Sequence, residues 1–379
     1  MSDSKAQPVR ISSEPAQLQA LEPVLKKVRA AVGDVPALLA IAEDIGRTAP
    51  EPGEGSTAKL WELLASVTAV DVAAGRVLEP HLDALAILAQ AGAQAGVQAG
   101  VQAGVQAGAE TQAGADGEQK GAWGVFAAEG PGMKLEAKSN ADGNYVLNGS
   151  KPWCSLAAQL DHAVITAHSG DNSRRAFAVN LKAPGVTCET PQWTSRGLQE
   201  IPSGTVHFDQ VAAQPLGQED WYFKHPGFAW GGMGVAACWL GGAVAVARDF
   251  AAALAKAADN GREPDQIALA SVGEIDRIIT SATGYLAVAA ERIDSGELEG
   301  SDPDGPSAWS EALRVRGTVA AAVERVQMLV SQNLGPGPLA FNETYGKRMA
   351  DLSLYIRQHH AMRDDAQLGA LALKGDRWW

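Results

Sequence analysis

The stretch Asp142-Gly-Asn-Tyr-Val-Leu-Asn-Gly-Ser-Lys-Pro-Trp-Cys-Ser155 decides the fold class of the middle of this chain. It opens with an Asp-Gly turn, after which residues alternate with the period of two that is typical of a β-strand. Short runs of the same kind follow, with turn residues between them, at 163–167, 175–179, 185–188 and 205–208. Several short strands at this spacing predict an antiparallel sandwich or barrel over residues 121–222.

Both flanks of this segment have helical periodicity. Over residues 11–90, apolar residues such as Leu18, Leu21 and Leu25 recur three or four positions apart. After residue 226, four long helical patterns cover residues 228–258, 264–293, 307–333 and 342–373. Long helices with short connections predict an up-and-down bundle. We therefore expect an α+β chain with an N-terminal helical domain (1–90), a middle antiparallel β-barrel (121–222) and a C-terminal four-helix bundle (223–379).

A low-complexity tract lies between the first two domains, where the unit Ala-Gly-x-Gln repeats with a period of four over residues 91–117. Each glycine costs a helix about 1 kcal/mol, whereas alanine and glutamine favour a helix. The tract could gate substrate access or bind a partner, but tracts of this composition are more often linkers. We expect a mobile linker over residues 91–120.

The composition disfavours several functional classes. The 379 residues carry a net charge of −13, which argues against nucleic-acid or anionic-membrane binding. We find neither an apolar run long enough to span a bilayer nor an N-terminal secretory signal. Three separated cysteines and seven histidines have no metal-site spacing, and no Rossmann glycine motif opens a helix. These features predict a cytoplasmic protein without a metal, a nucleic-acid partner or membrane insertion.

The order of helices, barrel and helices, with the sequence words inside it, resembles the acyl-CoA dehydrogenase family of flavoproteins. Gly124-Val-Phe-Ala-Ala-Glu-Gly-Pro131 resembles the family's first flavin-contacting strand, and Gly149-Ser-Lys-Pro-Trp-Cys-Ser155 is similar to its Gly-x-Lys-x-Trp word. Residues 197–211 resemble the stretch that closes its barrel. The resemblance covers roughly residues 15–90 and 120–372, and it implies FAD as cofactor and a homodimer or homotetramer.

Trp153 and Ser155 are candidate cofactor-binding residues. A flavin ring needs an apolar wall and a few hydrogen-bond donors at its edge, and strand alternation places these two residues on one face. By similar alternation Phe126 and Ala128 would face the same pocket. The alternative interpretation is a half-buried tryptophan with a satisfied serine, and a barrel-core phenylalanine. The resemblance also implies that Gln266 matches a family glutamine near the adenine.

The catalytic base of the family is absent. Family members carry a glutamate in the final helix, eight residues beyond an Arg-Asp pair that corresponds here to Arg348 and Asp351. His359 stands at this position, within Tyr355-Ile-Arg-Gln-His-His360. A neutral imidazole titrates near pH 7 and could serve as base. The alternative is a histidine with a structural role.

The resemblance implies α,β-dehydrogenation of an acyl thioester, on CoA or a carrier protein, with hydride transfer to flavin N5. Electrons would then pass to an electron-transferring flavoprotein. Because the glutamate is missing, two alternatives stay open. One is a flavin-dependent monooxygenase that depends on a flavin reductase. The other is a catalytically inactive flavin- or acyl-binding subunit of a hetero-oligomer.

Overall fold

The computed structural model of the chain describes residues 7–12, 15–102, 121–139, 144–299 and 307–377. Its N-terminal part is helical, as the apolar spacing predicts. The helices are α1 (Pro15–Ala30), α2 (Val35–Gly46), α3 (Thr57–Val70) and α4 (Val72–Gln102). Asp34 caps α2 by accepting a hydrogen bond from the Ala37 backbone N–H, which is one of the donors that a helix start leaves unsatisfied. Leu25 and Trp61 are fully buried where these helices pack.

Helix α4 ends later than the expected domain boundary at residue 90. It continues to Gln102, into the segment that we expected to be a linker. Alanine and glutamine favour a helix strongly enough here to offset the repeated glycines. Residues 103–120 lie outside the described part of the chain, so the linker and gating interpretations of that tract stay predictions.

The middle part forms the predicted barrel. Its strands are β1 (Trp123–Phe126), β2 (Leu135–Ser139), β3 (Tyr145–Ser155), β4 (His162–His168), β5 (Arg174–Asn180), β6 (Val186–Cys188) and β7 (Ser203–Leu216). Among the described strands, β4, β2, β3, β7 and β5 pair in that order, and β5 pairs again with β4, which closes the ring. The pairings are antiparallel except that β1 and β2 run parallel to β4. The expected all-antiparallel arrangement therefore holds for most of the barrel.

The C-terminal part is the predicted helical bundle. It comprises α5 (Trp221–Lys224), α6 (Pro226–Asp259), α7 (Gln266–Asp294), α8 (Ala308–Leu334), α9 (Pro336–Phe341), α10 (Glu343–Tyr355), a short 3-10 helix (Ile356–Gln358) and α11 (Met362–Leu373). The fourth predicted helix is thus divided. The division follows from Ala361, whose φ of 51° is incompatible with a continuous helix, and from Asp364, whose carboxylate accepts the His360 backbone N–H.

Helix α6 joins the bundle to the N-terminal helices. A β-carbon on residue 241 would lie 2.0 Å from the Ala65 backbone oxygen, so only glycine permits this approach of α6 to α3. By length and composition α6 is the one described helix that could cross a membrane, but 78% of its apolar stretch is buried inside the protein. Such burial is typical of a core helix.

Candidate functional site

A β-bulge in β3 presents Trp153 on the barrel surface. Lys151 pairs with Val206 and Cys154 pairs with Gly204, so two residues of β3 stand opposite one residue of β7. Trp153 lies in this bulge with a φ of 60°, and it is 62% exposed. The simple alternation of a strand does not predict this bulge. Because of the bulge, the Trp153 indole points outward and offers an apolar surface.

Ser155 lies at the junction between the barrel and helix α4. Its hydroxyl is 2.7 Å from the Ser203 hydroxyl, and it accepts a hydrogen bond from Arg76 Nη2 at 3.3 Å. Phe126, which is buried, lines a narrow crevice here together with Ser155 and Arg76. The structure therefore brings Phe126 and Ser155 together, at the foot of α4.

The other two predicted cofactor residues are placed differently. Ala128 lies beyond the end of β1 and is exposed. Gln266 is the exposed first residue of α7, in the helical bundle. The barrel face fits the ring of a flavin, because the Trp153 indole offers apolar surface and the hydroxyls of Ser155 and Ser203 offer hydrogen bonds nearby.

His359 lies between the 3-10 helix and α11, with a side chain that is 10% exposed. Its ring packs edge-on against Trp239, with centroids 6.4 Å apart, and its Nε2 lies 3.7 Å from Asp364 Oδ2. Burial lowers the pKa of His359, so the ring is neutral at pH 7. The structure places this histidine in the packing between α6, α8 and α11.

A cavity of about 370 Å³ lies between α4, α5, α6, α8 and α11, and we call it the bundle cavity. It is lined by Glu79, Asp83, Ile87, Tyr222, Gly227, Phe228, Gly231, Gly232, Val235, Trp309, Arg316, His360, Asp364 and Gln367. Its volume suits a small organic ligand.

Two carboxyl groups of α4 face the bundle cavity one helical turn apart. Burial raises the pKa of both Glu79 and Asp83, and the charge of Glu79 raises the pKa of Asp83 further. Burial and these two carboxyls also raise the pKa of Tyr222, so its hydroxyl stays protonated and can donate a hydrogen bond. Perturbed groups of this kind, gathered in a cavity, indicate a functional site.

Two guanidinium groups accompany the carboxyls. Arg76 Nη1 lies 3.5 Å from Glu79 Oε2. Arg316 donates to the backbone oxygens of Gly232 at 3.0 Å and Gln358 at 2.7 Å, and it lies 4.9 Å over the Trp239 ring. Arg316 is therefore fixed by the backbone at two points, so its charge has a defined position at the cavity wall.

Aromatic rings complete the wall. Phe228 stacks on Trp309 with centroids 5.3 Å apart, and Tyr222 meets Phe228 edge to face at the same separation. Such a wall offers flat apolar surface to a ring-shaped ligand.

Sequence reasoning missed the polar side of this site. Arg76, Glu79 and Asp83 recur at the i, i+3 and i+7 positions of α4, which share one helical face. We read this helix by its leucines alone. Charged residues at helical spacing within an apolar helix were the signal that could have identified the site.

A second cluster of carboxylates has a structural role. Asp71, Glu200 and Asp351 have carboxylate oxygens within 4.8 Å of one another. The Lys347 ammonium lies among them, at 3.0, 2.8 and 2.5 Å respectively. The lysine thus offsets part of the repulsion among the carboxylates and ties the start of α4, the barrel domain and α10 together.

Comparison with known proteins identifies the middle domain. Residues 127–211 match the family described as "Acyl-CoA dehydrogenase, middle domain". Dibenzothiophene monooxygenase of Rhodococcus erythropolis is 32% identical over 88 residues, which are 22% of this chain and 21% of the relative. The match thus spans about a fifth of the length of that curated relative.

Solved structures resemble the chain over almost its whole length. TdsC from Paenibacillus sp. A11-2, in a complex with FMN and indole, has a TM-score of 0.69 at 17% identity, covering 95% of this chain and 98% of that one. Butyryl-CoA dehydrogenase from Megasphaera elsdenii has a TM-score of 0.73 at 16% identity, covering 96% and 99%. With its helices, barrel and bundle in the same order, the chain has the acyl-CoA dehydrogenase fold, and its middle domain matches the middle-domain family of that name.

Proposed function

We propose that this chain is a flavin-dependent monooxygenase that oxygenates a compact organic substrate in the bundle cavity. The lining of the cavity carries the proposal, because it combines ionisable groups with aromatic rings. An acyl chain against Glu79 and Asp83 would leave buried carboxyls without new hydrogen-bond partners, which costs about 1–3 kcal/mol for each group. A ring-shaped substrate with polar atoms fits this lining better.

The loop that would carry the family base supports the same choice. Residues 356–361 contain no carboxylate, and His359 packs against Trp239. Removal of the α-proton of an acyl thioester needs a base within hydrogen-bond reach of that proton. The catalytic role expected for His359 stays a prediction. Oxygenation makes no such demand on this loop, so the monooxygenase alternative is favoured over dehydrogenation.

The barrel face would hold the flavin ring, with Trp153 as its wall and Ser155 at its edge. A reduced flavin bound there supplies the two electrons with which one atom of dioxygen enters the substrate while the other leaves as water. Arg76 orients the Ser155 hydroxyl, and Tyr222 donates a hydrogen bond into the bundle cavity. The helices around the cavity exclude water from the bound substrate.

The relatives agree with this assignment. The curated match is a monooxygenase, and TdsC binds FMN. We therefore propose FMN or FAD as cofactor and a flavin reductase as electron source, in place of an electron-transferring flavoprotein. A homodimer or homotetramer in the cytoplasm stays the expected state.

The test supplies the purified chain with FMN or FAD, NADH and a flavin reductase, and adds a panel of heteroaromatic compounds beginning with indole. We expect substrate-dependent oxygen uptake and a product heavier by one oxygen atom, with catalase present to remove free peroxide. In parallel, butyryl-CoA and octanoyl-CoA are added anaerobically to the oxidised flavin complex. Bleaching by either thioester would establish dehydrogenation instead. Flavin binding without either reaction would favour the binding-subunit alternative.

A further inference from the structure

The bundle cavity has more carboxyl groups than guanidinium groups around it. Three carboxyls face it, and two guanidinium groups lie beside them. Glu79 is paired with Arg76, and Arg316 lies close enough to Asp364 and Glu79 for each carboxyl to raise its pKa. Among the described residues, the Asp83 carboxyl is the one of the three that forms no ion pair.

Asp364 has its own partners. Its carboxylate accepts the His360 backbone N–H at 3.0 Å and lies 3.2 Å from His360 Nδ1. His359 Nε2 is 3.7 Å away. These contacts anchor α11 and leave Asp364 satisfied.

Asp83 has no such partner. Within the described residues, no hydrogen bond or ion pair reaches its carboxyl, although it lines the bundle cavity. Helix α6 makes room for it, because a β-carbon on residue 231 would lie 2.5 Å from Asp83 Oδ1. The carboxyl is half-buried, and the nearby Arg76 guanidinium lowers its pKa without forming an ion pair with it. A carboxyl that is desolvated in this way and has no hydrogen bond costs free energy unless a ligand supplies one.

We propose that the substrate of the bundle cavity is a compact aromatic amine whose ammonium group pairs with the Asp83 carboxylate. The stacked rings of Phe228 and Trp309 take the aromatic part. An ammonium group supplies the missing positive charge and up to three hydrogen bonds. An anionic ligand would bring a further negative charge to a cavity that Glu79 and Asp364 already line.

This inference rests on the proposed function, since it names the substrate of that same cavity. The raised pKa of Asp83 agrees with it, because burial and the neighbouring Glu79 disfavour a second charge until a cation arrives. Binding of the amine is therefore expected to draw a proton from Asp83.

The test measures binding by isothermal titration calorimetry on the full-length protein, without flavin or oxygen. The probes are tryptamine, indole-3-acetamide and indole-3-acetate, which share one ring and differ in charge. We expect tryptamine to bind at least tenfold more tightly than the amide, and the acetate to bind most weakly. In Asp83→Asn the affinity for tryptamine falls at least tenfold, whereas the affinity for the amide is unchanged.

Asp276→Asn serves as the matched control, because Asp276 is exposed on α7 and its loss leaves the affinities as they are. Thermal unfolding of each variant confirms that it folds. The inference is overturned if the three probes bind equally, if none binds, or if the affinity for tryptamine is unchanged in Asp83→Asn. The proposed function is then still tested by the oxygenase assay alone. An amine preference without oxygen uptake overturns the proposed function and makes the amine a ligand only.

Discussion

The guanidinium of Arg76 donates a hydrogen bond to the hydroxyl of Ser155 at 3.3 Å, while its other nitrogen lies 3.5 Å from Glu79. One side chain therefore connects the barrel face to the bundle cavity. A substitution at Ser155 is therefore expected to shift Arg76 and its contact with Glu79, and a substitution at Glu79 is expected to shift the contact of Arg76 with Ser155.

The Arg76–Glu79 pair can be tested by a double-mutant cycle. Arg76→Leu leaves Glu79 buried without its cation, and we expect a loss of about 2–4 kcal/mol in the free energy of unfolding. The double variant Arg76→Leu, Glu79→Leu removes both charges and is expected to regain most of that loss. Urea unfolding followed by circular dichroism measures both. A loss in the double variant that equals the sum of the losses in Arg76→Leu and Glu79→Leu would show that the pair is not coupled.

Trp153→Ala tests the flavin wall. Because the indole is 62% exposed, its removal is expected to change the unfolding free energy by less than about 0.5 kcal/mol. The affinity for FMN, measured by quenching of flavin fluorescence, is expected to fall about tenfold. Phe341→Ala removes another exposed aromatic ring, on α9, and is expected to leave FMN binding unchanged. Equal affinities for FMN in the wild type and Trp153→Ala would show that the Trp153 indole does not contact the flavin ring.

His81 is expected to make stability depend on pH. It accepts a hydrogen bond from the Trp123 backbone N–H, and burial lowers its pKa to about 4. Because the unfolded state binds the proton first, stability falls as the pH falls from about 6.5 towards 4, by up to about 3 kcal/mol.

The matched variant is His81→Asn, which keeps an acceptor for Trp123 without the titration. Thermal unfolding of both proteins between pH 4.5 and 7.5 gives the difference that belongs to His81. Parallel curves over this range would show that the histidine is not the group responsible.

Lys347→Met removes the cation from Asp71, Glu200 and Asp351. We expect a loss of about 2–3 kcal/mol at pH 8, since three carboxylates then repel one another. Burial raises the pKa of Asp351 and Lys347 lowers it, so without the ammonium that pKa rises further. Protonation then relieves the repulsion, and the loss is smaller at pH 5 than at pH 8. Chemical unfolding at the two pH values measures this, and a loss that is greater at pH 5 would contradict it.

Ala361→Gly is expected to stabilise the protein. Ala361 has a φ of 51° and a ψ of −126°, a backbone conformation that favours glycine, and its side chain is exposed. The gain is expected to be about 1 kcal/mol, reduced in part by the greater freedom of glycine in the unfolded chain. The midpoint of thermal unfolding reports it. A lower midpoint would mean that the loop is not strained.

The sequence predicts the architecture well because burial leaves a periodic trace. The period of two marked the barrel strands, and the spacing of leucines marked the helices on both sides. The bulge at Trp153 left no such trace, since one extra residue in a ladder depends on the partner strand β7. The break at Ala361 was equally hidden, because the residues around it are compatible with a helix.

The site was harder to predict than the fold. Phe126 and Ser155 meet at one crevice, but the partner that links them to the cavity, Arg76, comes from a helix in another domain. The placement of the Asp83 carboxyl beside the cavity depends on α6, where Gly231 leaves room for it, and could not be predicted from α4 alone. Such relations are three-dimensional, and a single sequence records them only as isolated polar residues.

Helix α6 also has a consequence for how the chain folds. Gly241 of α6 meets α3 from the N-terminal part, while the adjacent Gly242 meets Leu352 of α10 near the C-terminus. The two ends of the chain therefore share one interior, and the barrel is an insertion within a single cooperative helical body. We expect the helices to gain their protection from hydrogen exchange together, after the long loop that contains the barrel has closed, so folding is governed by contacts between residues far apart in sequence.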